Sequence, residues 1–386
     1  MGKRRVCPTL LISKNKEINV MKKTAIIVLL LVATLTAAAQ GDGSQYSVRY
    51  VKEHLLYEQG DEVNVIDVDM EWPEVVDGAD MRPLQTFIVK HLLGGNSFDF
   101  DTSYASFRSA FGQPVTKQFQ STPDDKKTCY VDIKLKMVAH KAGRFVSYAL
   151  EGYTEPAAQS SHKESQVSML VTYDLIGLTI LLRDDILLAK RMRNQFHELE
   201  MLLPVALSND YVANLSVNDA CLTEKQVMLF NNVVDMVGVS SSYVLQLKPN
   251  LLSRFLSKEA KSLLKSTKAK ISTVNFKEQQ EIDGEAICPK PDTQPQFQIA
   301  GRTLNDYLSE GLGEVDSEID GERRGQVLAQ LIVDKEGLTR EVRVTKPLAP
   351  AYDREVVRVV KGLPRWKPAT KDGQNVATKV NVLLVF

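Results

Sequence analysis

The chain of 386 residues is long enough for two or three domains, and its content of 44% apolar and 25% charged residues is ordinary for globular protein. Lysine and arginine total 48, as do aspartate and glutamate, so no overall charge marks the chain as a nucleic-acid or membrane-surface binder. The charge is nevertheless uneven, because the part from Gly321 onward has thirteen basic and seven acidic residues, a net of +6.

The N-terminal region has the layout of an export signal. From Met21 the sequence MKKTAIIVLLLVATLTAAAQ places two lysines before an apolar stretch, and small residues follow at Ala37–Ala39. The apolar stretch is shorter than the roughly 20 residues that a membrane-spanning helix needs. We therefore predict a cleaved signal peptide over 21–39 and a periplasmic protein, with residues 1–20 a mis-called extension. The alternative is an uncleaved inner-membrane anchor facing the periplasm.

Residues 46–270 are predicted to form one α+β extracytoplasmic domain. The segments QYSVRYVKEHLLY, DEVNVIDVDMEWP, CYVDIKLKMVAH and RFVSYALEGYT alternate polar and apolar residues as half-buried strands do, and QVSMLVTYDLIGLTILL is a further strand candidate. MRPLQTFIVKHLLGG has helical spacing and closes on a glycine pair. NLLSRFLSKEAKSLLKS is predicted to be an amphipathic helix with an apolar side formed by Leu252, Phe255, Leu256 and Leu263.

The cysteines permit one disulfide at most. If Cys7 is lost with the N-terminal segment, an odd number remains. Cys129 with Cys221 is the predicted pair, because Cys288 lies in a polar segment; the alternative is three unpaired thiols. There is no CxxC motif and the five histidines are scattered, so no metal or cofactor is expected.

Segment 271–297 is predicted to be a linker, because it is polar and aperiodic and contains Pro289, Pro291 and Pro295. The remainder, 298–386, is predicted to be a second domain. AGRTLNDYLSEGLG has the spacing of a helix, and GQVLAQLIVDKEGLTREVRVTK has that of a hairpin, with Gly337 at a turn position that favours positive φ. PAYDREVVRVVKGL is predicted to be a helix that Gly362 ends.

The stretch GLPRWKPATKDGQ precedes the final strand and is interpreted as its brace. Pro364 and Pro368 prevent the helix from resuming and stiffen the reversal. Trp366 is expected to cover the end of a small core, while the arginine and lysines of the stretch contribute positive charge. In the strand NVATKVNVLLVF, one face is apolar and suited to a core, and the other face is mixed.

Catalytic motifs are absent from the sequence. There is no GxSxG, HExxH, SxxK, Walker loop or GxGxxG in a suitable context. His162 lies among serines in a predicted surface loop. The neighbouring Asp184 and Asp185 are typical of helix caps, and Asp67 and Asp69 of a solvated strand face. We therefore expect a protein that is not an enzyme.

The sequence over 296–386 resembles the C-terminal domain of TonB-type energy transducers. The shared succession is a G-x-V hairpin, a D-x-x-G turn, the helix YDREVVRVV, the motif PRWKPA and a hydrophobic last strand. The resemblance implies a small three-stranded antiparallel sheet packed with helices, so that the whole chain is α+β in two domains. It also implies binding of the TonB box of an outer-membrane TonB-dependent transporter as an added strand, in the service of energy transduction for transmembrane transport.

The last strand suits such binding, because a terminal strand is easily placed at a sheet edge, where its unpaired backbone groups can bond a peptide. The predicted partner-binding edge comprises Ala377, Thr378, Lys379, Val380, Asn381, Val382, Leu383, Leu384 and Val385. Inner-membrane motor proteins are further predicted partners if the N-terminal segment is retained. A homodimer is also considered, whereas no nucleic acid is expected.

Residues 46–266 more weakly resemble the extracytoplasmic domain of lysozyme-responsive anti-sigma factors and of proteins associated with peptidoglycan deacetylases. The resemblance rests on RFVSYALEGYT and LVTYDLIGLTILLRDDIL; the Gly-Gly-x-His loop usual between them reads EPAAQSSHKES here, without the glycines. It suggests an alternative function. In that alternative the chain is an envelope sensor or adaptor that binds a cell-wall or protein ligand through its N-terminal domain, without energy transduction.

Overall fold

A computed structural model describes residues 46–115, 127–156, 162–188, 215–234, 240–265, 281–282, 285–299, 301–315 and 322–386. The predicted signal segment 21–39 and the extension 1–20 lie outside these residues. The described part of the chain is α+β, as the sequence predicts, and contains seventeen strands and six α-helices.

The N-terminal part begins with a long hairpin of β1 (Tyr46–Gln59) and β2 (Glu62–Val76). Helix α1 (Arg82–Ile88) follows and continues as a π-helical turn, Val89–Leu93. Gly94 ends this turn at φ +73°, a left-handed conformation that favours glycine, so the predicted glycine stop lies where the helix ends. Helix α2 (Phe100–Ser109) and the short β3 (Gln113–Pro114) complete the connection to the next strands.

Four further strands extend the sheet, namely β4 (Lys127–Lys141), β5 (Phe145–Glu155), β6 (Ser165–Asp174) and β7 (Thr179–Leu181). β4 lies parallel to β2, because the helical connection carries the chain back across the sheet, and the later strands pair antiparallel. Strand residues alternate in burial, and the apolar sides pack with the helices into one large core.

A smaller sheet lies beside this core and consists of β8 (Leu215–Leu222), β9 (Val227–Val234) and β10 (Ser240–Leu247). It packs with α3 (Arg183–Ile186) and α4 (Lys258–Leu264). The helix predicted to start near residue 250 is shorter than expected, because the Ser257 hydroxyl accepts the Ala260 N–H and caps the helix there. Leu252, Phe255 and Leu256 lie before this cap in turns, and they are buried as predicted.

The C-terminal part contains β11 (Glu281–Ile282), β12 (Glu285–Ala286), α5 (Leu304–Gly311), β13 (Gln326–Val333), β14 (Thr339–Lys346), α6 (Pro350–Lys361), β15 (Ala369–Lys371), β16 (Gln374–Val376) and β17 (Thr378–Val385). Strands β17, β13 and β14 form the three-stranded antiparallel sheet that the sequence predicts. One face of this sheet packs against α5 and α6 around a compact apolar core.

The three-stranded sheet does not end at β14. Strand β14 pairs antiparallel with β1, at Arg49↔Arg343, so that ten strands form a single sheet. The order along it is β17-β13-β14-β1-β2-β4-β5-β6-β7, and β3 pairs separately with β1. A sheet shared by the N-terminal and C-terminal parts has no counterpart in the sequence patterns, because strand partners far apart in the chain leave no local signal.

The predicted Cys129–Cys221 disulfide is not formed. Both residues are buried free thiols, and Cys288 is a half-buried one. Cys129 packs in the large N-terminal core, whereas Cys221 packs with Met228 in a separate cluster, so the two belong to different layers. Burial raises the pKa of Cys129 to about 11, and it raises that of Cys221 further. Both thiols therefore stay protonated at neutral pH, as the alternative of unpaired cysteines implies.

Candidate functional site

The last strand lies at one end of the ten-stranded sheet. β17 pairs with β13 without interruption, from Gln326↔Val385 to Val333↔Thr378, and no second strand flanks it among the described residues. The nine residues predicted as a partner-binding edge therefore lie on, or next to, a strand with an open side.

In an antiparallel sheet the backbone N–H and C=O groups of successive residues point to opposite sides of the strand, so each residue of β17 directs these groups either toward β13 or toward the open side. The N–H and C=O of Phe386 both bond Gly325, at 2.9 and 3.1 Å, so this pair is a closely bonded one. In an unbroken antiparallel register every second residue repeats that arrangement, which directs the even-numbered residues toward β13. The odd-numbered residues direct their N–H and C=O groups away from the sheet. These residues are Lys379, Asn381, Leu383 and Val385.

The two faces of β17 differ as the sequence predicts. Val382 and Leu384 are fully buried in the C-terminal core. Lys379, Asn381 and Leu383 are half-buried on the other face, where the Gln330 side chain donates to Asn381 Oδ1 at 3.1 Å. One face thus anchors the strand, while the other leaves a mixed surface beside the open edge.

The start of the open edge is occupied by the chain itself. The N–H of Cys288 donates to the carbonyl of Ala377 at 2.8 Å, and the Thr378 hydroxyl donates to the carbonyl of Cys288 at 2.8 Å. The bridge between Ile287 and Ala377 is parallel, so the segment runs in the same direction as β17. Pro289 follows at once and has no N–H to donate, which ends the pairing. The edge available to another strand therefore begins at Lys379.

The sequence patterns did not predict that Ile287 and Cys288 pair with the start of this edge, because they assigned both residues to the linker 271–297. Further along the same segment, Thr293 pairs with Thr370 and Gln296 pairs with Lys367. The alternation is too short and too proline-rich to predict pairing from sequence alone. The aromatic Phe297 was the one available signal, and it packs edge-on to Trp366 with ring centroids 5.8 Å apart.

The brace residues meet at the hairpin turn. Trp366 is 3% exposed, its backbone N–H donates to the Gly337 carbonyl at 2.7 Å, and its indole N–H donates to Thr339 Oγ1 at 3.3 Å. Gly337 has φ +82°, and a Cβ on it would lie 2.0 Å from the Trp366 carbonyl oxygen. Gly362 ends α6 with an ordinary φ of −81°, and Pro364 and Pro368 lie in the segment between α6 and β15, outside any helix or strand.

Asp334 holds the same turn from inside. Its carboxylate accepts from the N–H groups of Glu336 and Leu338, at 3.0 and 2.8 Å, and from Arg340 Nε at 2.8 Å. Burial by itself would raise the pKa of Asp334. The hydrogen bonds from Arg340 and Leu338 outweigh that effect and keep the pKa below its usual value. The turn therefore contains a stably ionised carboxylate.

The positive charge near the edge is only partly compensated. Lys371 pairs with Asp292, its Nζ lying 2.7 Å from a carboxylate oxygen. Arg365, Lys367 and Lys379, by contrast, make no ion pair within the described part of the chain. Lys379 stands at the beginning of the open edge without an ion-pair partner among the described residues, and such a charge favours an acidic partner.

The other residues weighed as chemical groups have structural contacts. Asp67 and Asp69 lie on the solvated sheet face, where they pair with His54 and Lys136 at 2.7 Å each. Asp185 accepts the Leu182 N–H at the start of α3, as a capping residue does. His162 stacks on Phe111 with ring centroids 4.9 Å apart.

The described residues contain neither a metal-binding cluster nor a membrane-spanning helix. No group of three or more His, Cys, Asp or Glu residues there could hold a metal ion. None of the helices in those stretches is long and apolar enough to cross a membrane.

Known proteins are similar to parts of this chain. Two solved structures of DUF3298 family proteins resemble part of it. The one from Pseudomonas aeruginosa has 14% identity and a TM-score of 0.36, and the match covers 57% of this chain and 98% of that one. The one from Bacteroides fragilis has 10% identity and a TM-score of 0.39, with 57% and 96% covered. No curated protein matches the chain.

The family model of the Gram-negative bacterial TonB protein C-terminal domain matches residues 318–386. The match contains the hairpin β13–β14, helix α6, the PRWKPA motif and the open-edged β17, in the order from which the sequence resemblance was drawn. Residues 318–386 are therefore a TonB-type C-terminal domain.

Proposed function

We propose that this protein is an exported, periplasmic binding protein whose TonB-type domain captures an extended segment of an outer-membrane TonB-dependent transporter. The segment would be the TonB box, added as a further strand beside β17. The observation that supports this most is the row of outward backbone groups from Lys379 to Val385 on a strand with one open side. The proposed activity is binding, without catalysis.

The physics of the edge fits an extended peptide. Seven residues at about 3.4 Å each form an edge of roughly 20 to 25 Å, enough for the core of one strand. Main-chain hydrogen bonds would supply affinity with little dependence on the peptide's side chains. The uncompensated charge of Lys379 and the net charge of +6 from Gly321 onward would draw an acidic segment toward the edge and raise the association rate.

A proline substitution separates backbone pairing from side-chain contact. In Asn381→Pro the N–H that is lost points away from β13, so the sheet keeps its own hydrogen bonds while the added strand loses one. Asn381→Ala is the matched control, because it removes the same side chain and keeps the N–H. We expect the full chain to bind a labelled TonB-box peptide in fluorescence anisotropy. Asn381→Pro should weaken binding at least tenfold, and Asn381→Ala less than threefold.

Circular dichroism of both variants checks that the fold is kept. Equal affinities of the two variants, or no binding by the natural chain, would contradict strand addition at β17.

A second candidate is the sensor or adaptor function without energy transduction. It is favoured by the packing of residues 285–299, which lie against β17 and the β15–β16 hairpin instead of forming a free spacer in that stretch. Fractionation with N-terminal sequencing tests energy transduction. Retention of 21–39 in the inner membrane would favour a transducer that contacts motor proteins. A soluble periplasmic chain beginning near Gln40 would count heavily against a transducer, and the peptide titration then separates transporter binding from the adaptor function.

A further inference from the structure

The TonB-type sheet has a second edge, and the N-terminal part of the chain covers it. Strand β14 would be an open edge like β17 if 318–386 stood alone, but β1 pairs with it antiparallel. Tyr50 of β1 packs against both the N-terminal and the C-terminal cores. We call the contact of β1, β2 and β4 with β14 and α6 the seam.

A buried phenol and a buried carboxylate join across the seam. The Tyr46 hydroxyl donates to Asp353 Oδ2, and both residues are almost fully buried, at 2% and 0% exposed. Asp353 lies near the start of α6 and also accepts the Leu348 N–H at 2.9 Å. Burial and the nearby Asp353 raise the pKa of Tyr46 well above its usual value, so the phenol remains a donor. The positive end of the helix dipole, at the N-terminus of α6, stabilises the ionised form of Asp353.

A second buried carboxylate is held from both sides of the seam. Glu71 of β2 is 2% exposed and accepts the Met137 N–H of β4 at 2.8 Å. Arg354 of α6 reaches Glu71 at 3.2 and 3.3 Å, and its Nη1 also donates to the Met137 carbonyl at 3.1 Å. Lys136 of β4 lies farther from Glu71, at 3.7 Å, and pairs more closely with Asp69. Separating the two parts would leave the buried carboxylate with only this weaker cation, which is unfavourable.

Outer contacts continue the seam. Lys361, at the end of α6, donates to the Tyr50 carbonyl at 2.9 Å. Arg343 of β14 lies 3.5 Å from Glu74 of β2. The seam therefore combines a backbone bridge, a shared tyrosine and two buried polar pairs, which is more than a loose contact between tethered domains requires.

We infer that the N-terminal part acts as a built-in fourth strand of the TonB-type sheet, and that the two parts unfold as one cooperative unit. With β1 on β14, strand addition to this domain is confined to β17. Binding of a strand at β17, or force applied to that strand, is then transmitted to the N-terminal sheet through the paired strands β13, β14 and β1. The occupant of the β14 edge is this chain itself, in place of a second copy or another protein.

Native-state hydrogen exchange on the full chain, followed by mass spectrometry at low denaturant concentrations, tests the inference. Peptides covering β1 and β14 should exchange through a common opening, with the same dependence on denaturant. If residues 326–385 open at clearly lower denaturant than residues 46–76, the parts unfold separately and the inference is wrong. The measurement needs no peptide ligand, so it stands or falls independently of strand addition at β17.

Arg354→Met tests the seam directly. It keeps the apolar stem of the side chain while leaving Glu71 only the more distant Lys136, and it should speed exchange at least tenfold in both β1 and β14. Arg358→Met, one turn further along α6, removes contacts that lie within the C-terminal part, namely the pair of the exposed Arg358 with Glu355 and the bond to the Gly311 carbonyl. It should change exchange in β1 less than threefold. Faster hydrogen exchange in β14 and α6, with unchanged exchange in β1 and β2, would overturn the inference.

Should Arg354→Met fail to fold, Tyr46→Phe provides the same test in a milder form. It removes one hydroxyl and keeps the ring, and it should accelerate hydrogen exchange in β1 and β14 together. Faster exchange in β1 alone would again overturn the inference.

Discussion

At the scale of single residues, the turn of the β13–β14 hairpin is the most constrained place in the C-terminal domain. Gly337 needs the left-handed conformation and also leaves room for the Trp366 carbonyl, two requirements that no other residue meets together. Trp366 depends on that turn for its backbone hydrogen bond and covers the core beside it. The turn and the brace therefore stabilise each other.

Gly337→Ala should lower the free energy of unfolding by about 3 kcal/mol or more, because backbone strain adds to a clash with Trp366. Gly373→Ala is the matched control, since Gly373 has φ +76° and open space around it. It should cost about 1 kcal/mol from conformation alone. Urea denaturation of both variants measures the difference, and equal losses would show that the close approach of Trp366 does not matter.

Asp334 predicts a pH dependence at the same turn. Its pKa is lower in the folded chain than in the unfolded chain, so its stabilising effect is complete above about pH 4, the usual aspartate value, and is lost as pH falls through the folded value. Asp334→Asn should lose about 1 to 2 kcal/mol at pH 7. Its stability should also fall less steeply than that of the natural chain between pH 5 and acid unfolding. Parallel slopes in thermal melts across this range would contradict the assignment.

At the scale of elements, β17 shows how one strand can serve both the core and an open edge. Its even-numbered residues bond β13 through the backbone and, at Val382 and Leu384, fill the core. Its odd-numbered residues direct both backbone groups and half-buried side chains away from that core. A shift of one residue in register would exchange the two sets and bury a lysine, so the apolar pattern specifies the register strongly.

Leu384→Ala should therefore lower the free energy of unfolding by about 2 to 4 kcal/mol, because the side chain is fully buried. Leu383→Ala, the matched neighbour on the other face, should cost about 1 kcal/mol or less. Chemical denaturation of both variants measures this contrast. A larger loss for Leu383 would mean that the strand pairs in the opposite register.

Helix α4 shows where an element pattern misleads. Leu252, Phe255 and Leu256 have helical spacing with the residues that follow, and they reach the same apolar cluster. Ser257 nevertheless begins the helix, because its hydroxyl satisfies the N–H of Ala260 and the preceding turns bury the apolar side chains without helical backbone. Periodicity records burial more directly than it records conformation.

At the scale of the whole molecule, the main finding is that one sheet runs through both parts of the chain. The TonB-type domain contacts β1 of the N-terminal part on one side and the preceding segment, residues 287–296, on the other. Both contacts restrict where an added strand can lie, and together they leave β17 from Lys379 onward as the accessible edge. The proposed partner binding and the inferred cooperativity are thus two consequences of one arrangement.

The sequence by itself determined the α+β class, the hairpin with its glycine turn, the helix YDREVVRVV and the TonB-type resemblance of the C-terminal part. These depend on periodicity, turn chemistry and short motifs, which act between near neighbours in the chain. Only the tertiary structure decided that β1 pairs with β14, that Cys129 and Cys221 lie in separate clusters, and that Glu71 meets Arg354. Those contacts join residues far apart in sequence, and which of many sterically possible pairings forms is decided by the burial and hydrogen bonding of the complete fold.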